Sequence, residues 1–214
     1  MSDFITTEGI VLHKTDYLEN SVIVSVLTFD CGIVHFMVKG DRKFNKKHTP
    51  KFDTLRVLSL TFALKENKNL QTVKETEVVR VYSNLSSSYR AVTAALWVAS
   101  LLNRNLSDHH AVKPLYSVLR GVLERLDHKK PSKSLCFAEV VGFSIYFLIY
   151  EGLIPEDYLA VSAPHLQPFY ENLFKEVKLP ELSVQDRHQL SEWLTTIIHL
   201  LNQRAVEIPD CLLS

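Results

Sequence analysis

Between about residues 7 and 80, apolar and polar positions alternate with a period of two. The alternation is plainest where Leu58, Leu60, Phe62 and Leu64 are separated by Ser59, Thr61 and Ala63. Side chains two apart share one face of an extended chain, so this period predicts half-buried strands. Five are expected, at about 7–14, 20–29, 33–38, 54–64 and 69–80, rich in Val, Ile, Thr and Phe. Asp30-Cys31-Gly32 and Lys65-Glu66-Asn67-Lys68-Asn69 have the composition of hairpin connections, whereas 39–53 is too long and too charged for a tight turn.

Past residue 80 the period becomes helical, with Leu115, Leu119, Val122, Leu123 and Leu126 on one face. Helices are expected at about 86–103, 111–127, 134–151, 166–177 and 184–205, with Pro114 confined to a first turn. Ser183-Val184-Gln185-Asp186 has the form of a capping box for the last helix, and Gly152 followed by Pro155 stops the central one. The fold class is therefore α+β: a β domain over 1–80 and an all-helical domain over 81–214. Closure removes sheet edges, so a five-stranded OB-fold barrel is the best candidate for the first domain. Periodicity alone does not separate it from an SH3-like barrel or an open sheet.

Of the 214 residues, 46% are apolar and 22% charged, with six Gly and eight Pro, which excludes collagen-like, low-complexity and disordered classes. The N-terminal Met1-Ser2-Asp3-Phe4 lacks a basic segment followed by an apolar core, so no secretory signal is expected. The most apolar stretch, Leu135 to Tyr150, is interrupted by Glu139, Gly142 and Ser144 and falls short of the ~20 residues that span a bilayer. It reads as a buried helix, with no membrane partner. Cys31, Cys136 and Cys211 are dispersed and form no C-x-x-C pair, which fits a reduced cytoplasmic protein.

The formal net charge is zero, so any electrostatic function is local. The densest positive segment is 39–51, where Lys39, Arg42, Lys43, Lys46, Lys47 and Lys51 face Asp41 as the only acid. Such a run neutralises phosphates and releases counterions, or is simply a solvated loop; composition favours neither. Phe44 and Phe52 bracket the lysines and read as loop anchors ahead of base-stacking platforms, while Tyr17 fits either role. A second cluster comprises Arg120, Arg125, Lys129, Lys130 and Lys133. Arg120 and Arg125 read there as compensation of a helix C-terminal dipole, and the lysines as a DNA track or partner receptor. The adjacent His109-His110 and the separated His188 and His199 give no ligand set, so neither a metal nor a cofactor is expected. No phosphate-loop, dinucleotide, zinc-protease or nucleophile-elbow motif occurs, and no catalytic residue is assigned.

Thr7-Glu8-Gly9-Ile10-Val11-Leu12, Asp16-Tyr17, Glu19-Asn20-Ser21, Leu27-Thr28 and Gly32-Ile33-Val34 together resemble the RecO family of recombination mediators. Val38-Lys39-Gly40-Asp41-Arg42-Lys43 resembles that family's basic segment, and Leu70-Gln71-Thr72-Val73-Lys74-Glu75 its last barrel strand. Beyond residue 80 the likeness is architectural, with Gly152-Leu153-Ile154-Pro155 similar to the turn that closes the family's central helix. Many relatives continue into a cysteine-rich zinc module, but residues 156–180 contain no cysteine.

The resemblance implies a non-enzymatic DNA repair protein of the bacterial cytoplasm, associated with the nucleoid during repair. It would bind single- and double-stranded DNA, anneal complementary strands, and act with RecR and the C-terminal tail of single-stranded DNA-binding protein. On this reading Lys39, Arg42, Lys43, Lys46, Lys47 and Lys51 contact DNA, and Lys129, Lys130 and Lys133 are candidates for the tail. The rivals are a protein-interaction adaptor whose barrel no longer binds DNA appreciably, and a hydrolase assembled from dispersed residues.

Overall fold

The computed structural model describes residues 4–17, 21–39, 51–65, 68–107, 112–200 and 207–214. The chain divides into two compact units, one of residues 1–82 and 106–117, the other of 83–105 and 118–214.

The first unit is a five-stranded antiparallel sheet of the OB-fold type: β1 (Phe4–Tyr17), β2 (Ser21–Thr28), β3 (Gly32–Lys39), β4 (Val57–Ala63) and β5 (Val73–Arg80), in the order β3-β2-β1-β4-β5. The long β1 serves two neighbours, pairing its first half with β4 and its second with β2. The two pairings overlap at Gly9 and Ile10, and at Gly9 an added Cβ would lie 2.5 Å from the Val26 side chain. The alternation in β4 is realised, with Leu58, Leu60 and Phe62 fully buried. They join Val11, Val22, Val24, Val26, Val34 and Phe36 in one core. Phe36 meets Phe62 edge to face at 4.9 Å, an arrangement the ring quadrupoles favour. Phe52 is buried in the same cluster, so its anchoring role holds.

The expected closed barrel is not zipped along its seam. The free edges of β3 and β5 meet at one parallel bridge between Phe36 and Gln71. There Met37 N–H donates to the Gln71 carbonyl (3.0 Å), and Gln71 N–H to that of His35 (2.8 Å). β5 begins at Val73 rather than near 69, because Gln71 has left the β4 ladder to make this bridge. Farther along, Lys74, Glu75, Glu77 and Arg80 put charge on both faces of β5, and no apolar stripe draws it onto β3. Residues 112–117 also belong to this unit. Tyr116 donates to the Glu8 carboxylate (3.2 Å), and Lys113 pairs with Asp30 (3.0 Å).

The second unit is built on α1 (Tyr89–Asn105), the end of α2 (Lys113–Leu126), α3 (Lys133–Tyr150), the short α4 (Tyr158–Val161) and α5 (Gln167–Glu171), α6 (Val184–Leu200) and α7 (Asp210–Leu213). Pro114 falls in the first turn of α2, as its missing N–H requires. Gly152, at φ +68°, ends α3 in the left-handed conformation, with Leu153 N–H donating to the Leu148 carbonyl. The box opening α6 forms as read: Asp186 N–H donates to Ser183 Oγ, and Ser183 N–H and Oγ–H donate to the Asp186 carboxylate. Among the described helices, α3 alone is long and apolar enough to cross a bilayer, and 67% of it is buried inside the protein.

Two sequence expectations fail around Glu139. This wholly buried carboxylate receives two bonds from Arg125, at 2.6 and 2.8 Å, and one from Asn172 at 3.2 Å. Arg125 is therefore half of a buried ion pair and not a compensator of the α2 dipole. The third guanidinium bond goes to the Leu173 carbonyl (3.0 Å), a group that a continuing helix would use itself. The helix expected over 166–177 is accordingly a 3-10 turn (Pro164–Leu166) followed only by α5. Residues 201–205, expected to extend the last helix, lie outside the described residues.

Burial raises the Glu139 pKa, against the opposing pull of Arg125 and Asn172. Arg125→Met leaves that carboxylate stranded and is expected to cost about 3–5 kcal/mol in urea unfolding. A carboxyl whose pKa is raised on folding loses stability as pH rises past its unfolded value. The deficit of the variant should therefore be larger at pH 8 than at pH 5, and Arg125→Met/Glu139→Leu should recover most of it.

Gln71→Ala is expected to lose about 1–2 kcal/mol by removing three part-buried hydrogen bonds. Gln71→Glu should lose more, since a carboxylate would then face two carbonyl oxygens. Shifts in the urea midpoint at constant slope check both.

Candidate nucleic-acid interface

Below the Gln71 bridge the edges of β3 and β5 separate and leave a groove of about 430 Å³. Met37, Val38 and Lys39 form one bank, Thr72 to Lys74 and Thr76 the other, and Phe52 the floor. A second hollow of about 370 Å³ lies between Phe4, the β4–β5 connection with Lys65 and Lys68, and Lys74 at the start of β5. Gln71, only 2% exposed, fixes both. Its side-chain amide donates to the carbonyls of Lys65 (2.9 Å) and Lys68 (2.6 Å) and accepts from Lys65 N–H (3.1 Å). The same residue thus shapes the β4–β5 connection and holds it beside β3.

Of the cations singled out in 39–51, Lys39 stands exposed at the end of β3. Lys51, also exposed, donates to the Thr76 carbonyl of β5 at 3.3 Å. They mark the departure and return of the chain on the two sides of the groove. Arg42, Lys43, Lys46 and Lys47, with Phe44 between them, lie outside the described residues. Asp53, close in sequence, is turned to Arg56 at 2.9 Å, which neutralises it locally. Tyr17, at the end of β1, is 41% exposed.

Sequence reading overlooked Lys65, Lys68, Lys74 and Phe4. In sequence, Lys65 and Lys68 carry only the composition of a turn. Lys74 and Thr76 share one face of β5, the period-two relation that places both beside the groove. Lys74 lies 4.4 Å from the centroid of the exposed Phe4 ring and 3.8 Å from Glu75. A cation over an exposed aromatic face, beside further lysines, combines the two elements that single-strand sites use.

The second cluster does not act as one. Arg120 pairs with Glu124 one turn on (3.4 Å), and Arg125 is consumed by Glu139. Lys129 and Lys130 remain exposed in the turn between α2 and α3. Lys133 is half-buried at the start of α3, where desolvation and then the fields of Arg187 and Arg90 lower its pKa. Among the described residues no three His, Cys, Asp or Glu side chains converge as metal ligands. Burial pushes the Cys136 thiol up to about 11, so it is protonated and unreactive at neutral pH.

Residues 1–82 match the family model for the N-terminal domain of recombination protein O. Proteins described as DNA repair protein RecO are similar over longer stretches. That of Geobacter metallireducens is 28% identical over 145 residues, covering 65% of this chain and 59% of the relative. That of Thermodesulfovibrio yellowstonii is 26% identical over 141 residues, covering 65% and 56%. That of Leuconostoc mesenteroides is 27% identical over 120 residues, covering 56% and 46%. The chain spans about half the length of the curated relatives it matches. With a five-stranded OB-type sheet in the matched segment and helices after it, residues 1–82 form a RecO-type N-terminal domain, and the longer chain is similar to RecO proteins.

Proposed function

We propose that this protein is a DNA-binding recombination mediator in DNA repair, with residues 1–80 as the nucleic-acid-binding domain and 81–214 as a helical support for partners. The observation that carries the reading is the cationic groove at the β3–β5 seam, bordered by Lys39, Lys51 and Lys74. Lys39, Arg42, Lys43, Lys46, Lys47 and Lys51 neutralise phosphates, and Lys65, Lys68 and Lys74 extend the track past Gln71. Such contacts give affinity without base specificity. Two strands brought together on one neutralising surface then anneal by their own complementarity. The function is thus binding and positioning, with no bond made or broken by the protein. The similarity to DNA repair proteins supports a role alongside RecR and single-stranded DNA-binding protein, whose acidic tail would meet Lys129, Lys130 and Lys133.

Salt titration with oligothymidylate tests the site. If about four cations touch phosphate, log K should fall against log salt with a slope near −3, at roughly −0.7 per phosphate. Lys46→Glu/Lys47→Glu should flatten that slope and weaken binding to all sequences alike, whereas Lys129→Glu/Lys130→Glu should leave it unchanged. A folded Lys46→Glu/Lys47→Glu variant with unaltered affinity and slope would remove the segment from the site. Absence of any oligonucleotide binding would favour the adaptor reading.

A further inference from the structure

The second unit contains a groove of about 410 Å³ that plays no part in the reading above. Tyr158 of α4, Phe169 of α5, and Leu190 and Trp193 of α6 form its walls. The Tyr158 and Trp193 rings are nearly parallel, 19° apart, with centroids separated by 6.5 Å. Aromatic faces carry negative quadrupole potential and attract cations, indole most strongly.

Asp186 supplies a carboxylate on the rim. The bonds it accepts from Ser183 Oγ and N–H, at 2.7 and 3.0 Å, both fall on Oδ2, so Oδ1 keeps acceptor capacity for a further donor. Those bonds also hold its pKa below the usual carboxylate value. Gln189, His165 and Ser162 are the other polar residues of the lining. The nearby Arg187 guanidinium is occupied by the carbonyls of Leu213 and Leu182, at 2.8 Å each.

Aromatic faces and a carboxylate lining one groove complement an arginine side chain. A guanidinium is planar, stacks on a ring, and offers in-plane donors to a carboxylate at the same time, which an ammonium does not. Its methylene stem suits the apolar walls made by Phe169 and Leu190. A carboxylate ligand would instead meet Asp186 and the negative ring faces. We propose that this groove receives an arginine side chain presented by a protein partner. The proposal is independent of the nucleic-acid reading and survives its failure.

The full chain, labelled with ¹⁵N, is titrated with N-acetyl-Leu-Arg-Leu-amide and with the isosteric citrulline peptide, which keeps the shape and lacks the charge. The protein has two tryptophans. Trp97 is buried with its indole N–H held by the Glu207 carbonyl, so its signal serves as an internal reference. The Trp193 indole signal should shift saturably with the arginine peptide and at least fivefold more weakly with citrulline.

Asp186→Asn keeps an oxygen for the Ser183 bonds and should weaken binding about threefold, the scale of an exposed ion pair. Gln189→Glu adds a second rim carboxylate and should tighten binding by a similar factor, a gain that loss of folding does not mimic. Three results would overturn the proposal: no saturable shift at Trp193, equal binding of the citrulline peptide, or unchanged affinity in Gln189→Glu.

Discussion

The first unit depends on one buried amide. A five-stranded sheet of this order has two free edges, and each presents backbone donors and acceptors that need partners. Gln71 ties the edges together. Its main chain exchanges two hydrogen bonds with β3, and its side chain folds the β4–β5 connection back onto itself. The tie is made at one point because β5 has no apolar face with which to continue it. Past the bridge the edges leave the groove that Lys39 and Lys74 line, and the connection folded by Gln71 lines the second hollow with Lys65 and Lys68.

Much of this order was legible because it depends on local pattern. Alternation in 58–62 identified the buried face of β4, Ser183 to Asp186 the start of α6, and Gly152 the end of α3. Phe52 could be assigned to the core because a large ring in a charged segment gains most by burial. The bridge was not legible. Gln71 sits inside what reads as a strand, and only its departure from the ladder makes it special. The same holds for Arg125 and Glu139, which share no local pattern and meet only when two helices cross. The lysines of the β4–β5 connection were visible as residues, but their approach to β3 depends on Gln71.

The helical unit is organised by a different constraint. Glu139 is wholly buried in α3 and is matched there by Arg125 of α2 and by Asn172. A buried pair of this kind contributes less to net stability than to choosing one arrangement of helices, since every alternative leaves a charge without its partner. It fixes the end of α2 against α3 and thereby places the turn that carries Lys129 and Lys130. Asp127 reinforces that turn by accepting from the backbone N–H groups of Asn84 and Leu85. The family model stops at residue 82, so the surfaces of this unit have to be read from its own packing.

The central claim is that single-stranded DNA lies across the seam held by Gln71. Amide hydrogen exchange of the full chain, with and without saturating oligothymidylate, tests it most directly. The account predicts that binding slows exchange in residues 36–39 and 71–76, on both banks of the groove, with little change in 126–135. Slowed exchange confined to 126–135, with the seam unaltered at saturation, would contradict it.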